Sequence, residues 1–511
     1  MSDIDTDAIA RERSLDPGRS VLLQAPAGSG KTTVLIQRYL RLLGVVDSPE
    51  QILAITFTRK AAGEMMQRVL EALGEAPVDA LTVELAAAVR ERSRRLGWQI
   101  EVHPSRLRIQ TIDALNHRLA AALPIAARAG ASLQLADDPD ELYRRAAGLA
   151  LRSAEADPLL QAHSGLWFDR LGNDWTRLQD LLAQMLARRG HWLRHIAGES
   201  PDALASSVSA SLESLVTGQL QAAARSLPAT VREEAIALLR EARASIIATA
   251  RAMPSPHWEA AAALHDELRA ESRHLAVWRA IATLALTADT AAPRPLRKVV
   301  DVRMGFAAQS PLKARAMDWL GMLGQHPQFV ELLAAIRALP EPTFSAEDAA
   351  ALAALSALLQ HAVAELALVF ADAGGVDHTA ISAAARQALS HSDGSELAIH
   401  QGDQLRHILV DEFQDTSVEQ FELIEGLIDQ WQPGEARSLF LVGDPMQSIY
   451  QFREAEVALF MRARDEGIAG WPLEFLSLTR NFRSQPAIVQ FVNDCFSKVF
   501  PPIDENGRAH V

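Results

Sequence analysis

Short apolar runs in the first and last parts of the chain are the clearest feature of this sequence. They are rich in valine, isoleucine and leucine, and they occupy residues 21–23, 52–57, 107–112, 408–410, 439–442 and 475–478. Several are followed by turn residues and then by apolar positions at helical spacing, which is the order found in βα units. This pattern predicts an α/β fold with a parallel sheet.

From about residue 115 to about residue 400 the strand-like runs stop, and alanine and leucine recur at helical spacing. One predicted helical face is formed by Leu178, Leu181, Leu182, Met185, Leu186 and Leu193. Farther on, Ser345 with Asp348 predicts the start of a helix, and Gly374 with Gly375 predicts its end. We therefore expect a large all-α insertion that splits the sheet in sequence.

The amino-acid composition indicates which general class of protein the chain belongs to. The chain has 511 residues, 49% hydrophobic and 22% charged, which suits a globular protein of several domains. The single cysteine, Cys495, excludes an intrachain disulfide and a four-cysteine metal cluster, and it is typical of a reducing cytosol. The acidic N-terminus lacks the pattern of a signal peptide. A cytoplasmic location is therefore expected.

Net charge and hydropathy restrict how the protein can bind nucleic acid or a membrane. The net charge of −14 argues against a protein that coats nucleic acid with its whole surface, but it permits a local basic groove. Residues 349–370 are the strongest candidate for a membrane span. Ser356, Gln360, His361 and Glu365 interrupt this stretch, which favours a buried amphipathic helix and no membrane association.

A glycine-rich segment follows the first predicted strand and precedes a helical pattern. It consists of Ala25, Pro26, Ala27, Gly28, Ser29, Gly30, Lys31 and Thr32. The glycines let backbone N–H groups approach phosphates, Lys31 can reach the β- and γ-oxygens, and the Thr32 hydroxyl can bind Mg²⁺. An unrelated glycine-serine turn is the alternative. The context favours a site for a nucleotide phosphate.

An acidic pair, Asp411 and Glu412, directly follows the apolar run 408–410. One carboxylate can hold Mg²⁺ through its waters, and the next can orient a water molecule for attack on a γ-phosphate. Neither is plausible as core filling, because burying a charge is costly unless the charge is paired or bound to a metal. The two segments together predict an ATPase.

Residues 56–62 combine hydroxyl groups, an aromatic ring and two adjacent cations at the end of a predicted strand. Such a set suits contact with a nucleic-acid backbone and stacking of a base, although adjacent surface cations are commonly just solvated. With Glu64 and Met65, this segment resembles a motif of the UvrD/Rep family of superfamily 1 DNA helicases. So do residues 110–115, 411–416, 442–453 and 478–484, in the family's order.

The resemblance implies a RecA-like P-loop NTPase sheet that uses ATP and Mg²⁺. Asp411 would hold the metal, and Glu412 would be the general base for the attacking water. Gln447 would sense the γ-phosphate, Arg483 would be an arginine finger, and Phe482 would stack on adenine. The insertion, with residues 172–174 and 185–189, is similar to that of the RecB/AddA-like branch.

Contacts to single-stranded DNA are also implied by the resemblance. They would come from Phe57, Thr58, Arg59, Thr111, Tyr450 and Phe452. For the aromatic residues, a simple role in the core is the alternative. Two positions depart from the family: residues 7–14 offer Arg11 and Arg13 in place of an adenine-binding glutamine, and Asp113 stands where histidine is usual.

Other polar groups have weaker patterns. His191 and His195 lie four residues apart on a predicted helix, which allows a metal pair, but a pair facing solvent or DNA is favoured. Two clusters of arginine are either solvated faces or contacts to a DNA duplex or strand. They comprise Arg90, Arg92, Arg94 and Arg95, and then Arg188, Arg189 and Arg194.

The domain expectation follows the motifs. Residues 1–120 and 400–490 would form the RecA-like ATP-binding domain, residues 121–399 a helical accessory domain, and residues 491–511 the start of a second RecA-like domain that the chain does not complete. The expected function is that of an ATP-dependent 3′→5′ DNA helicase in recombination or double-strand-break repair. It would be the N-terminal part of a helicase-nuclease, with an AddB-like partner protein as one possibility.

Two other hypotheses remain open at this stage. The chain could be a fragment that binds ATP and DNA but does not hydrolyse ATP. On this hypothesis we expect the 511-residue chain alone to bind ATP weakly and to show little DNA-stimulated turnover. It could also be a structural protein with a vestigial ATPase. The presence of Lys31, Glu412 and Arg483 together argues against the last hypothesis.

Overall fold

The structure is a computed structural model. It describes residues 6–74, 79–122, 134–249, 257–264, 268–287, 296–343, 345–390, 405–432, 434–448 and 456–499. All six predicted strands are present within these ranges. Their bounds are β1 (Val21–Gln24), β2 (Ile52–Thr56), β3 (Arg108–Thr111), β4 (His407–Val410), β5 (Ser438–Gly443) and β6 (Glu474–Ser477).

The strands form one six-stranded sheet in the order β3-β2-β4-β5-β1-β6. Every pairing is parallel, as the α/β pattern predicted. Strands β2, β4 and β5 are buried along their whole length. That burial explains why their sequences are nearly continuous apolar runs instead of alternating ones.

Helices cover both faces of the sheet, and each face has its own apolar cluster. One face packs against α1 (Thr6–Ser14), α2 (Lys31–Leu43), α3 (Arg59–Leu73) and α4 (Ala80–Leu96). The other face packs against α5 (Ile112–Ala122), α17 (His378–Ser390), α18 (Val418–Ile428) and α19 (Val457–Glu466). Because the strands are all parallel, their carboxyl ends and the loops that follow lie at one edge of the sheet.

The insertion between β3 and β4 is helical, as predicted. Its helices are α6 (Pro139–Ser153), α7 (Pro158–Arg170), α8 (Trp175–Ala187), α9 (Arg189–Ile196), α10 (Pro201–Ser226), α11 (Ala229–Ala248), α12 (His257–Ala263), α13 (Leu275–Ala285), α14 (Pro311–Gly324), α15 (Pro327–Ala338) and α16 (Ala346–Ala373), and α17 follows them. They enclose two further apolar clusters. A last helix, α20 (Pro486–Val499), follows the sheet.

The leucine face predicted from residue 178 to residue 193 is divided between two helices. Helix α8 ends at Ala187, and Arg188 has a non-helical φ of −111° and ψ of 22° before α9 begins. Leu178, Leu182 and Leu186 are buried on α8, whereas Leu193 is only partly buried on α9. A single continuous helix was therefore the wrong prediction, because the spacing of apolar residues continues across the break.

Helix α16 begins and ends as its sequence predicts. The Ser345 hydroxyl accepts a hydrogen bond from the Asp348 N–H, and Gly374 adopts the left-handed conformation at the end. The helix is long and apolar enough to cross a membrane by length and composition alone. One of its faces, with Leu358, Leu366 and Phe370, is buried in the cluster shared with α6 and α8, as expected of a buried amphipathic helix.

The predicted domain bounds remain predictions. Residues 391–404, around the expected boundary at residue 400, lie outside the described residues, as do residues 500–511. The first three strands precede the insertion and the last three follow it.

Candidate active site

The glycine-rich segment forms a loop between β1 and α2. Gly28 and Gly30 have φ values of 82° and 80°, in the left-handed region that favours glycine. A Cβ on Gly28 would lie 2.6 Å from the Asn481 Oδ1, so a larger residue would collide with the chain that follows β6. The loop is anchored to β5 by a hydrogen bond from the Ala25 N–H to the Gly443 carbonyl, at 2.9 Å.

Lys31 is the first residue of α2, and its side chain crosses to the end of β4. Its Nζ lies 2.5 Å from the Glu412 Oε1 and 3.5 Å from the Asp411 Oδ1. Three residues predicted to serve one reaction are thus brought together, although 380 residues separate Lys31 from Asp411 in sequence. Thr32, the predicted metal ligand, is the next residue of α2 and is half-buried.

The two carboxyl groups differ in their electrostatics. Burial raises the pKa of Asp411, and the Glu412 charge adds to this, against the attraction of Lys31. Burial also disfavours the charged form of Glu412, but the Lys31 ammonium and the Gln414 amide outweigh it, so the pKa of Glu412 is lowered. Lys31 and Gln414 therefore favour the ionised form of Glu412 as long as both contacts are present.

The backbone at Glu412 is strained. Its φ of 53° and ψ of 42° place a non-glycine residue in the left-handed region, at a cost of about 1 kcal/mol or more. A short 3₁₀ turn, Phe413–Asp415, follows, and the Ser417 hydroxyl then caps α18. The sharp turn directs the Glu412 carboxylate towards Lys31 instead of into the sheet.

The end of β5 supplies the residue predicted to sense phosphate. The Gln447 Nε2 donates to the Asp444 Oδ2 at 2.5 Å, and Asp444 itself is buried. Gln447 is the last residue of a 3₁₀ turn, Pro445–Gln447, and Asp444 caps the start of that turn. Asp444 thus fixes the side chain of Gln447, at the same edge of the sheet as Lys31.

Phe482 and Arg483 lie next to the glycine-rich loop, since a Cβ on Gly28 would be 3.0 Å from the Arg483 Cβ. The Phe482 N–H donates to the Gly28 carbonyl at 2.8 Å, and the Phe482 ring is 67% exposed. The Asn481 Oδ1 accepts the N–H groups of Arg483 and Ser484, each at 2.9 Å. Both predicted residues therefore border the loop, with the Phe482 ring open to a ligand.

Arg11 links the segment that contains Phe482 to the glycine-rich loop. Its Nη2 donates to the Ser29 carbonyl at 2.6 Å, and its guanidinium carbon lies 5.1 Å from the centroid of the Phe482 ring. Asp7 accepts from the Arg11 Nε at 2.7 Å and from the Thr479 N–H at 2.8 Å. Of the two arginines noted in place of a glutamine, only Arg11 reaches the loop, since Arg13 pairs with Glu474.

Comparison with known protein families identifies the family of this chain. The model of the UvrD/REP helicase N-terminal domain matches residues 7–467. The chain belongs to the UvrD/REP helicase family. The resemblance inferred from the motifs is thereby confirmed.

Several curated relatives of this UvrD/REP family member are helicase-nuclease subunits. An ATP-dependent helicase/nuclease subunit of Desulforudis audaxviator is 28% identical over 535 residues, which cover 95% of this chain and 39% of the relative. The protein of the same name from Lacticaseibacillus casei is 26% identical, with the same two coverages. RecBCD enzyme subunit RecB of Chlamydia pneumoniae is 33% identical over 119 residues, 23% of this chain. The chain thus spans 39% of the length of the first two relatives.

The predicted DNA contacts of this family member lie in part at the same edge. Phe57 and Thr58 follow β2, and Arg59 is exposed at the first position of α3. The Thr58 hydroxyl caps α3 by accepting from the Ala61 N–H. Thr111 is 7% exposed, and its hydroxyl accepts from the Ala114 N–H. Tyr450 and Phe452 lie outside the described residues.

The arginine clusters have structural partners that the sequence did not reveal. The Arg90 Nη1 donates to the Leu73 carbonyl, and the Arg92 Nε donates to the Val46 carbonyl. Arg189 is buried in an ion pair with Asp377. The buried Arg189 is therefore not available to DNA, whereas a contact of Arg90 or Arg92 with DNA stays a prediction.

The donor set fits a magnesium site of the kind that binds together with phosphates. Mg²⁺ usually takes one or two carboxylates, substrate phosphates and waters, not a complete protein cage. Asp411 and Thr32 supply such a partial set. In the described part of the chain no group of three or more His, Cys, Asp or Glu residues could hold a metal ion, so the pair of His191 and His195 lacks a third ligand there.

Four site residues had no predicted role: Asp7, Asn481, Asp444 and Gln414. All four contribute side-chain hydrogen bonds to the site. Asn481, Asp444 and Gln414 lie inside the family motifs, and this position was the sign in the sequence that they belong to the site. Asp7 had no such indication, because its partner Thr479 is 472 residues away.

Proposed function

We propose that this chain carries the ATP-hydrolysing part of a DNA helicase that moves 3′→5′ along single-stranded DNA. The observation that supports this most strongly is the contact of Lys31 with Glu412 and Asp411. It joins a phosphate-binding lysine, a general base and a metal ligand at one sheet edge. The exposed Arg59 lies at the end of a neighbouring strand on that edge.

In the proposed mechanism Lys31 exchanges partners. The phosphates of ATP would lie on the backbone N–H groups of residues 28–32 and draw the Lys31 ammonium away from Glu412. The Glu412 Oε1 would then be free to accept a proton from the attacking water. Arg483 would donate to the phosphoryl group as it transfers, and Phe482 would stack on the base. When bound, Mg²⁺ would neutralise phosphate charge, with Asp411 and Thr32 as the residues that hold it.

The cellular role and partners are part of the same proposal. The relatives carry the names of an ATP-dependent helicase/nuclease and of the RecB component of the RecBCD enzyme. These names favour a cytoplasmic role in recombination or double-strand-break repair, on single strands and duplex junctions. A second protein similar to AddB is a proposed partner. Gln447 would link the γ-phosphate to the bound strand.

The test is ATP hydrolysis by the 511-residue chain, with and without single-stranded DNA. We expect hydrolysis that single strands stimulate, and a loss of about 100- to 10,000-fold in Glu412→Gln, the range typical for removal of a general base. Glu466→Gln is the matched control, because Glu466 is 70% exposed on α19. Equal turnover in Glu412→Gln and the wild type would contradict the proposal.

Two further results bear on whether the chain hydrolyses ATP and on the direction in which it moves along DNA. Binding of ATP and DNA with no turnover in the wild type would favour the hypothesis of a binding module. Strand displacement from a duplex with a 3′ overhang, but not from one with a 5′ overhang, tests the polarity; the reverse preference would contradict it.

A further inference from the structure

Gln414, two residues after Glu412, has a side chain bonded at both ends of its amide. Its Nε2 donates to the Glu412 Oε2 at 2.9 Å and to the Asp415 Oδ2 at 3.2 Å. Its Oε1 accepts from the Asp444 N–H at 2.9 Å. A backbone N–H can only donate, so the orientation of this amide is determined by its partners.

The close packing around Gln414 supports a specific function. The residue is only 2% exposed. A Cβ on Gly443 would lie 2.4 Å from the Gln414 Oε1, so the last residue of β5 has to be glycine for the amide to approach. The Ser448 hydroxyl donates to the Gln414 carbonyl at 3.3 Å. Gln414 is thus fixed between the chain after β4 and the chain after β5.

The two oxygens of Glu412 have different partners. Oε1 contacts Lys31, and Oε2 accepts from Gln414. If ATP draws Lys31 towards the phosphates, Oε1 is released while Oε2 keeps its hydrogen bond. A carboxylate held by one oxygen can present the other to a water molecule in a defined direction, which is what a general base requires.

We propose that Gln414 is a positioning residue that holds Glu412 for catalysis and connects it to the segment after β5. This inference rests on the proposed function, because it assigns Gln414 a part in the same hydrolysis. The amide makes no contact with substrate in this scheme. It acts only through Glu412 and Asp444.

The connection to the segment after β5 is short. Asp444 donates its N–H to Gln414, and its Oδ2 accepts from the Gln447 Nε2. The Gln447 N–H also donates to the Asp444 carbonyl at 2.9 Å. A shift of this segment on DNA binding would therefore pass to Glu412 through two hydrogen bonds in series. Gln414 should carry part of the stimulation of hydrolysis by DNA.

The experiment replaces Gln414 with methionine, which has a similar shape but none of the amide's hydrogen-bonding groups. We expect the kcat for ATP hydrolysis to fall about 10- to 100-fold, as for loss of hydrogen bonds to a charged group. The KM for ATP should stay within about twofold, because Gln414 does not contact the nucleotide. The ratio of rates with and without single-stranded DNA should fall towards one.

Gln420→Met is the matched control. Gln420 belongs to the capping box of α18 and bonds the Ser417 N–H, so its loss removes a neighbouring glutamine without touching Glu412. Its kcat and its stimulation by DNA should match those of the wild type. Gln414→Glu keeps the size of the side chain and the acceptor for Asp444, but it places a third carboxyl group against Glu412 and Asp415. It should lose kcat in the same way, and it serves as the test if the methionine variant unfolds.

Wild-type kcat and wild-type stimulation by DNA in a folded Gln414 variant would overturn the proposal. An equal loss of kcat in Gln420→Met would also overturn it, since the effect would then be one of local structure. Failure of the proposed function is distinguishable: Glu412→Gln and Lys31→Ala would then retain hydrolysis, whatever the Gln414 variants do.

Discussion

Two groups of charged side chains, one partly buried at the sheet edge and one fully buried in the helical insertion, differ in whether a ligand can reach them. In the insertion, Arg189 and Asp377 form a bidentate pair with side chains only 7% and 5% exposed. The Tyr143 hydroxyl donates to the same carboxylate, and the Ala380 N–H bonds it as well. The polar groups of this cluster satisfy one another, so it holds α6, α9 and α17 together.

At the sheet edge the corresponding group is incomplete. The side chains of Lys31, Asp411 and Glu412 are 17%, 17% and 37% exposed, and a phosphate can take over the contacts of Lys31. Burial of charge therefore does not by itself mark a functional site. A cluster with an accessible, exchangeable ion pair predicts ligand binding, and a closed cluster predicts stability.

The largest expected effect separates these two roles. Asp377→Ala leaves the buried Arg189 guanidinium without its carboxylate, which should lower the free energy of unfolding by about 3–5 kcal/mol. Nucleotide affinity of the folded variant should not change. Denaturant unfolding followed by circular dichroism measures the first quantity, and fluorescent-nucleotide titration measures the second. A stable Asp377→Ala protein that no longer binds nucleotide would reverse the assignment of the two clusters.

A smaller effect, on ATP affinity, is expected where Arg11 contacts the Phe482 ring beside the glycine-rich loop. Arg11→Ala removes the bond to the Ser29 carbonyl and the contact with the Phe482 ring. We expect ATP affinity to fall about tenfold, since about 1.4 kcal/mol is a usual value for a charged hydrogen bond. Arg13→Ala is the control, because Arg13 is 46% exposed and pairs with Glu474. An identical affinity in the two variants would mean that Arg11 does not support the nucleotide site.

A third prediction concerns His407 and Ser438, two buried polar residues that bond to each other inside the sheet. Burial lowers the pKa of His407 to about 3, and the neutral ring lies 2.8 Å from the Ser438 Oγ. Below pH 6.5 the unfolded chain takes up a proton that the folded chain does not, so stability falls as the pH falls from 6.5 towards 3. Between pH 7.5 and pH 5.5 this contribution should be about 1.4 kcal/mol.

The measurement is the free energy of unfolding of the wild type and of His407→Asn at these two pH values. Burial also raises the pKa of Asp415, to about 6, and this works in the opposite direction in both proteins. The difference between the two proteins therefore isolates His407. An unchanged difference across the pH range would show that His407 is not neutral in the fold.

The sequence predicted much of the sheet edge because parallel strands place their carboxyl ends together. The apolar runs before Asp411 and before the glycine-rich loop indicated that both segments follow strands of one parallel sheet, and the structure shows that Lys31 and Glu412 are in contact. The structure adds contacts that no local pattern contains. The hydrogen bond that Asp7 accepts from the Thr479 N–H and the one that Arg11 donates to the phosphate loop both depend on how α1 packs beside β6.

The helical insertion was predicted less well than the sheet edge, because its contacts also join residues that are far apart in sequence. Alanine and leucine continue at helical spacing across Arg188, so the end of α8 could not be located. Arg189 carried the same charge pattern as a solvated or DNA-binding residue. Its burial depends on Asp377, a partner 188 residues away, which only the packing of the helices reveals.

On binding of ATP, Lys31 is expected to leave Glu412 for the phosphates. Equilibrium titration of the chain and of Lys31→Ala with a fluorescent ATP analogue and Mg²⁺ tests it most directly. Loss of charged hydrogen bonds to phosphate predicts an affinity about 10- to 150-fold weaker in Lys31→Ala, with Lys60→Ala, whose lysine is 86% exposed, unchanged. Equal affinity in Lys31→Ala and the wild type would contradict the account.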